Sequence, residues 1–75
     1  MDLVKIGKII SEARKNKGMT QRELANKLHV SDKAISKWER GIGCPDISFL
    51  IPLSQILDIS LYELLSGQKE EVEEL

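Results

Sequence analysis

Apolar residues recur every three or four positions along most of the chain, which is the spacing of one face of an α-helix. Near the N-terminus this apolar set consists of Leu3, Ile6, Ile9, Ile10 and Ala13. Gly18 is predicted to end this helix, because glycine readily adopts the left-handed conformation found just after a helix. The sequence contains no alternating strand pattern and no internal repeat. It therefore predicts an all-α protein.

Hydroxyl residues mark the starts of three further helices. Thr20 and Glu23 have the spacing of a capping box, in which each side chain bonds the other residue's backbone N–H. Ser60 and Glu63 repeat this spacing, and Ser31 is the predicted N-cap of the helix between them. Apolar pairs flank the three starts at the spacing of hydrophobic staples. Glycines at positions 41 and 67 are predicted to end the second and third of these helices.

The remaining helix is predicted to begin at Asp46, after an irregular segment, Gly41-Ile42-Gly43-Cys44-Pro45. Its apolar set is Ile47, Leu50, Leu53, Ile56 and Leu57. Pro52 falls inside this pattern and lacks a backbone N–H, so we expect a kink or a late start.

The helix at residues 32–40 mixes basic and apolar residues, and helical geometry separates them. At about 100° per residue, Trp38 and Glu39 fall close to the direction of Ile35, as does the preceding Ser31. Four polar residues lie on the opposite side of the helix: Lys33, Ser36, Lys37 and Arg40. We therefore expect Trp38 to point inward and to anchor a basic outer face.

The charge is divided along the chain, although the net charge of 75 residues is only −1. Residues 1–45 carry ten Lys or Arg against five Asp or Glu, a net +5. Residues 46–75 carry one Lys against seven Asp or Glu, a net −6. Such a separation favours one basic surface that binds a polyanion.

Composition argues against several other functions. Cys44 is the only cysteine and His29 the only histidine, so neither an internal disulfide nor a metal-ligand cluster is expected. The sequence offers no convergent nucleophile and base, which argues against an enzyme, and nothing indicates a cofactor. No apolar run has membrane-spanning length, and a reducing cytoplasm is the expected compartment. Cys44 is expected to be a small buried or half-buried side chain.

The run TQRELANKLHVSDKAISKWERG, at residues 20–41, is identified as a member of the Xre family of bacterial and phage repressors, the lambda-repressor-like helix-turn-helix domains. The segments DISFLIPLSQIL and SLYELLSG extend the similarity, which spans residues 4–67. The resemblance implies a compact five-helix bundle whose third helix enters the major groove of DNA. It implies a sequence-specific transcriptional regulator that binds double-stranded operator DNA as a homodimer. Of the two kinds of regulator, a repressor is expected rather than an activator.

The resemblance also assigns roles to individual residues. Gln21 would hold a phosphate and brace the recognition helix, and Ser31 would contact phosphate in addition to capping. Four residues occupy positions that read base edges: Asp32, Lys33, Ser36 and Lys37. Arg40 would lie near the flanking phosphates. Arg14 and Glu39 match an ion pair between the first and third helices, which would explain the inward carboxylate.

The sequence departs from the family at two turns, where His29 and Asp58 stand in place of glycine. Both positions are expected to have positive φ, which His and Asp tolerate better than most residues. Asp32 opposes phosphate, so it either stabilises the helix dipole or accepts a hydrogen bond from a cytosine amino group. The loop after the third helix lacks the basic residues that some relatives use on phosphate. If this loop touches DNA, it does so mainly through backbone N–H groups.

Two functions of different classes remain open at this point. The first is DNA binding by a domain at residues 1–67, followed by an acidic tail at residues 68–75. The second is an antitoxin-type or other protein-binding module, in which exposed apolar residues would matter most. For the dimer, the expected contact is the acidic C-terminal half around Leu61, Tyr62 and Leu65, with Val72 and Leu75 as a further part of it, because the basic face must stay free for DNA.

Overall fold

The computed structural model describes residues 2–68 and confirms an all-α fold. Five α-helices follow one another, with one turn of 3₁₀-helix at Ile47–Phe49 before the fourth. Their bounds are α1 Leu3–Asn16, α2 Gln21–Leu28, α3 Asp32–Glu39, α4 Leu50–Leu57 and α5 Leu61–Ser66. Across residues 2–68 there is no strand, and no helix is both long and apolar enough to cross a membrane.

The predicted N-caps are present. In α2, the hydroxyl of Thr20 accepts a hydrogen bond from the Glu23 N–H at 3.0 Å, and the Glu23 carboxylate accepts one from the Thr20 N–H. Ser60 and Glu63 form the same reciprocal pair in α5. The hydroxyl of Ser31 accepts from the Ala34 N–H at 3.1 Å. Each cap satisfies N–H groups that the first helical turn leaves without a partner.

Helices α1 to α4 all end in a compact reversal of the chain. A residue with positive φ follows each helix, and the next N–H donates to a carbonyl five residues earlier. Glycines 18 and 41 supply the positive φ after α1 and α3. His29 at φ 59° and Asp58 at φ 55° supply it after α2 and α4, which confirms the expectation for both.

The fourth helix starts late, as Pro52 predicted, but one of its apolar residues was placed wrongly. Asp46 caps the 3₁₀ turn, and α4 begins only at Leu50. Pro52 is then the third residue of α4, where a missing N–H costs no helical hydrogen bond. The 3₁₀ turn changes the register of the preceding residues, and Ile47 is 81% exposed rather than part of the apolar face.

The core lies where α1, α2, α3, α4 and α5 meet. Its fully buried large side chains are Ile10, Leu24, Ile35, Leu53 and Leu64, and each of the five helices contributes one. Cys44 was wrongly expected to be buried or half-buried. It is exposed, while the neighbouring Pro45 is buried. Because the loop is irregular, no periodicity indicated which of the two residues would face the core.

Gly7 lets α1 approach the end of α3 more closely than any other residue type would. A β-carbon at this position would lie 2.7 Å from the carbonyl oxygen of Glu39 and would overlap that of Trp38. Both obstructing atoms belong to the backbone, so no side-chain rotation relieves the overlap. This glycine therefore sets the distance between α1 and the C-terminal turn of α3.

We expect Gly7→Ala to destabilise the domain. Alanine favours a helix over glycine by about 1 kcal/mol, but overpacking against the α3 backbone should cost about 1–3 kcal/mol or more. Urea unfolding would measure the difference, with Lys8→Ala at an exposed position of α1 as the control. A Gly7→Ala domain that is more stable than the parent would show that α3 moves away at little cost.

Candidate nucleic-acid interface

The inner side of α3 is apolar, and it holds the helix in place. Ile35 is fully buried and Trp38 is only 7% exposed, which confirms the inward direction predicted for the tryptophan. The Trp38 ring packs against Phe49 in the 3₁₀ turn, with ring centroids 5.7 Å apart and planes inclined by 44°. The only tryptophan of the chain is therefore an anchor of α3 and does not form part of its outer face.

The outer side of α3 is basic. Lys33, Lys37 and Arg40 are exposed, and Ser36 is half-buried between them. The Nε–H of Arg40 donates to the carbonyl oxygen of Ser36 at 3.3 Å and to its hydroxyl at 3.2 Å. The structure thus brings the four outward residues of the sequence prediction onto one helix face.

The start of α3 carries a charge pair that sequence reasoning missed. Asp32 is the first residue of α3, where a carboxylate favours the positive end of the helix dipole. Its Oδ2 atom lies 3.6 Å from Nη2 of Arg22 on α2. The proximity depends on how the two helices are oriented, and the spacing of residues along the chain carries no signal of it. The positive charge of Arg22 partly offsets the negative charge of Asp32 at the N-terminal end of the basic face.

A hydrogen-bonded ion pair ties the end of α3 to α1. The Nε and Nη2 groups of Arg14 donate to the two carboxylate oxygens of Glu39, at 2.7 and 3.0 Å. The third donor, Nη1, bonds the carbonyl oxygen of Met19 at 2.7 Å. The side chains of Arg14 and Glu39 are only 11% and 6% exposed. This is the pair that the resemblance implied.

Gln21 joins the same network from α2. Its Nε2 amide donates to a carboxylate oxygen of Glu39 at 3.0 Å, so Glu39 is held by two helices. The amide nitrogen has two hydrogens, and one remains beyond the bond to Glu39. The position of α3 relative to α1 and α2 is thereby fixed by directional bonds as well as by apolar packing.

The network sets the protonation of Glu39. Burial by itself raises the pKa of the Glu39 carboxyl, but hydrogen bonds from Arg14 and Gln21 outweigh it and hold that pKa below its ordinary value. The hydrogen bond to Glu39 also raises the pKa of Arg14, against the effect of burial. Both groups are therefore charged at neutral pH.

The loop after α3 uses two of its backbone N–H groups to close the end of that helix. The N–H groups of Gly41 and Ile42 donate to the carbonyl oxygens of Trp38 and Lys37, at 3.1 Å each. These bonds close the end of α3, so the two N–H groups are not available to a ligand. Any backbone contact from this loop to phosphate would therefore fall to the residues after Ile42.

Two capped helices joined by a short turn, with the second helix presenting a basic face, define a helix-turn-helix domain. A family model described as Helix-turn-helix matches residues 10–64. The chain belongs to this helix-turn-helix family, and its Xre-type, lambda-repressor-like character is confirmed.

Similar proteins include several regulators of transcription. The HTH-type transcriptional activator BcrR of Enterococcus faecalis is 42% identical over 60 residues, which cover 80% of this chain and 29% of BcrR. The HTH-type transcriptional regulator SinR of Bacillus licheniformis is 41% identical over 69 residues, which cover 91% of this chain and 61% of SinR. The chain thus spans less than two thirds of either relative.

A similar solved structure is the restriction-modification controller protein C.AhdI from Aeromonas hydrophila. It has a TM-score of 0.75 and 33% identity, and the match covers 84% of this chain and 96% of C.AhdI.

Proposed function

We propose that this domain is a sequence-specific DNA-binding regulator of transcription that reads operator DNA with α3 in the major groove. The observation that carries the proposal is the basic face of α3, Lys33, Ser36, Lys37 and Arg40, held outward by a buried Ile35 and Trp38. A major groove admits one α-helix, and side chains on its outer face reach base edges. No enzymatic activity forms part of the proposal.

Phosphate contacts would place α3 in the groove. Gln21 and Ser31 lie at the first turns of α2 and α3, where N–H groups and the helix dipole favour anions. Gln21 would use its second amide hydrogen for a phosphate while it remains bonded to Glu39. Arg40 would contribute charge at the opposite end of α3. Lys33, Ser36, Lys37 and Asp32 are the proposed base-reading residues.

A homodimer on a palindromic operator would double these contacts. Two half-sites would then lie about 34–36 Å, or one helical turn, apart. Support for the dimer surface comes from α5, which packs on α1 and α4 and leaves Leu61, Tyr62 and Leu65 from 40 to 56% exposed. We propose that residues 1–67 form the DNA-binding unit. The acidic tail lies almost entirely outside the described residues.

A protein-binding function is the second candidate. Ile42, at 63% exposed, and Ile47, at 81% exposed, are large apolar side chains that a partner protein could cover. A gel shift with genomic DNA at moderate salt separates the two functions. Retarded DNA supports the regulator, whereas unretarded DNA together with capture of a partner protein would support the alternative.

Selection of bound sequences from random duplex DNA tests the proposal most directly. We expect one palindromic sequence to be enriched, with half-sites one helical turn apart. Enrichment of no sequence would overturn sequence-specific binding. A reporter gene placed behind the selected operator then tests the proposed repressor role, since an occupied operator blocks polymerase. Increased transcription would instead indicate an activator, the role named for BcrR.

Removing Lys33 or Lys37 should weaken DNA binding and leave the fold unchanged. Both side chains are exposed, so Lys33→Ala and Lys37→Ala should each change the free energy of unfolding by less than about 0.5 kcal/mol. A lysine that contacts a base should contribute roughly 1–3 kcal/mol at one operator position. Binding to single-base-pair variants of the operator measures this. If both variants rank all sequences as the parent does, the lysines contact only phosphate.

A further inference from the structure

The side chain of Arg40 is folded back along α3 onto Ser36. Its Nε–H is shared between the carbonyl oxygen and the hydroxyl of Ser36, at 3.3 and 3.2 Å. Helical side chains point toward the N-terminus of their helix, so a residue at the C-terminal end naturally reaches one turn back. A cation is also favoured near this end of the helix dipole. The guanidinium therefore lies beside the hydroxyl on the outer face.

This contact restricts what the Ser36 hydroxyl can bond. A serine hydroxyl has one hydrogen to donate and two lone pairs that accept. Arg40 occupies one lone pair, and the other lies next to a full positive charge. An amino group that approached this second lone pair would bring its own partly positive hydrogen toward the guanidinium. The O–H group, which the cation polarises, remains free to donate.

Base edges in the major groove differ in this property. Guanine and thymine present keto oxygens there, O6 and O4, which accept hydrogen bonds. Adenine and cytosine present amino groups, N6 and N4, at the corresponding positions, and these donate. A serine that could both donate and accept would bind either kind of base. A serine restricted to donating would favour a keto base.

We propose that Arg40 is a positioning residue for specificity, because its hydrogen bond to Ser36 makes that serine select a keto base, guanine or thymine, over an amino base. The inference rests on the proposed function, since Ser36 must face a base edge. It gives Arg40 a role in reading sequence that is separate from any phosphate contact. It also predicts which base type the Ser36 position prefers.

Comparing four chains tests the inference: the parent, Ser36→Ala, Arg40→Met and the double variant. Methionine keeps an unbranched apolar stem and removes the charge and the donor. Binding is measured by competition between operators that differ at one base pair. One operator position should be sensitive to Ser36→Ala. At that position the parent should bind operators with a keto base on the strand that Ser36 faces about twofold to tenfold more tightly than operators with an amino base there, the range for one hydrogen bond.

Arg40→Met should reduce the ratio of keto-base to amino-base affinity at that position to about one, in addition to any general loss of affinity. In the Ser36→Ala background, Arg40→Met should lower the affinity for every operator by the same factor. Lys37→Met is the matched control, because it removes a positive charge from the same face and should leave the preference at the Ser36 position intact. Melting temperatures of all the variants verify that each is folded.

Several results would overturn the inference while leaving the proposed function in place. Arg40→Met could reduce binding to every operator equally, which would make Arg40 only a phosphate contact. The Ser36 position could favour an amino base, or Ser36→Ala could alter no base preference. By contrast, a parent chain that selects no sequence at all would overturn the proposed function as well.

Discussion

Trp38→Ala should destabilise the domain by about 3–5 kcal/mol, the usual cost of truncating a buried aromatic side chain. The ring is 7% exposed and packs against Phe49, so its removal leaves a cavity beneath α3. Small domains are stable by only about 5–15 kcal/mol, and the variant should therefore melt at a much lower temperature. Denaturant unfolding followed by circular dichroism measures the loss.

Lys37→Ala is the control for Trp38→Ala, since the adjacent residue points outward. The lysine variant should keep its stability and lose DNA affinity, whereas the tryptophan variant should lose stability. A Trp38→Ala domain with the parent's melting temperature and only a binding defect would mean that the ring contacts DNA. That result would reverse the assignment of the two faces of α3.

Glu39→Ala should destabilise the domain by a similar amount, for an electrostatic reason. Removing one partner of a buried ion pair leaves the other charge buried, which costs about 3–5 kcal/mol. Here the remaining charge is Arg14, which is 9% exposed and would keep only its bond to Met19. The exposed pair of Lys17 and Asp58, 3.6 Å apart, is the control, and Lys17→Ala should cost about 1 kcal/mol or less. Equal losses from the two variants would contradict the buried-pair account.

The same carboxylate should contribute to acid sensitivity. The pKa of Glu39 is lower in the folded domain than its ordinary value of 4.5, so its contribution to stability is present above that value. The contribution is lost as the pH falls through the pKa of the folded state. Unfolding measured from neutral to acid pH should therefore show a steeper loss for the parent than for Glu39→Gln. Parallel curves would show that Glu39 does not couple protonation to folding.

Features that depend on a few neighbouring residues could be predicted from the sequence. The two capping boxes belong to this group, because their hydrogen bonds close within about six residues. The positive φ of His29 and Asp58 was expected because these residues occupy glycine positions of the family. The inward direction of Trp38 followed from helical periodicity alone. The pairing of Arg14 with Glu39 required knowledge of a family, since 25 positions separate the two residues.

Features that depend on how elements meet could not be predicted. In the sequence, Gly7 is only a residue of low helix propensity inside a helix. The close approach of α3 shows that a side chain there would overlap the α3 backbone. Arg22 lies near Asp32 because α2 and α3 are held at a particular orientation. Ile47 was misplaced because a 3₁₀ turn interrupts the helical periodicity on which its prediction depended. Cys44 was misplaced because its prediction depended only on the usual burial of free cysteine, and the irregular loop leaves it exposed.

The compact ends of helices α1 to α4 have a consequence for how the chain folds. Each reversal is closed by a hydrogen bond from an N–H to the carbonyl five residues earlier, so each change of direction is encoded locally. Short loops carry a small entropic cost of closure, and chains rich in local contacts cross their folding barrier in microseconds to milliseconds. Such a chain exposes its apolar surface only briefly after it leaves the ribosome, and this limits the time in which it can aggregate.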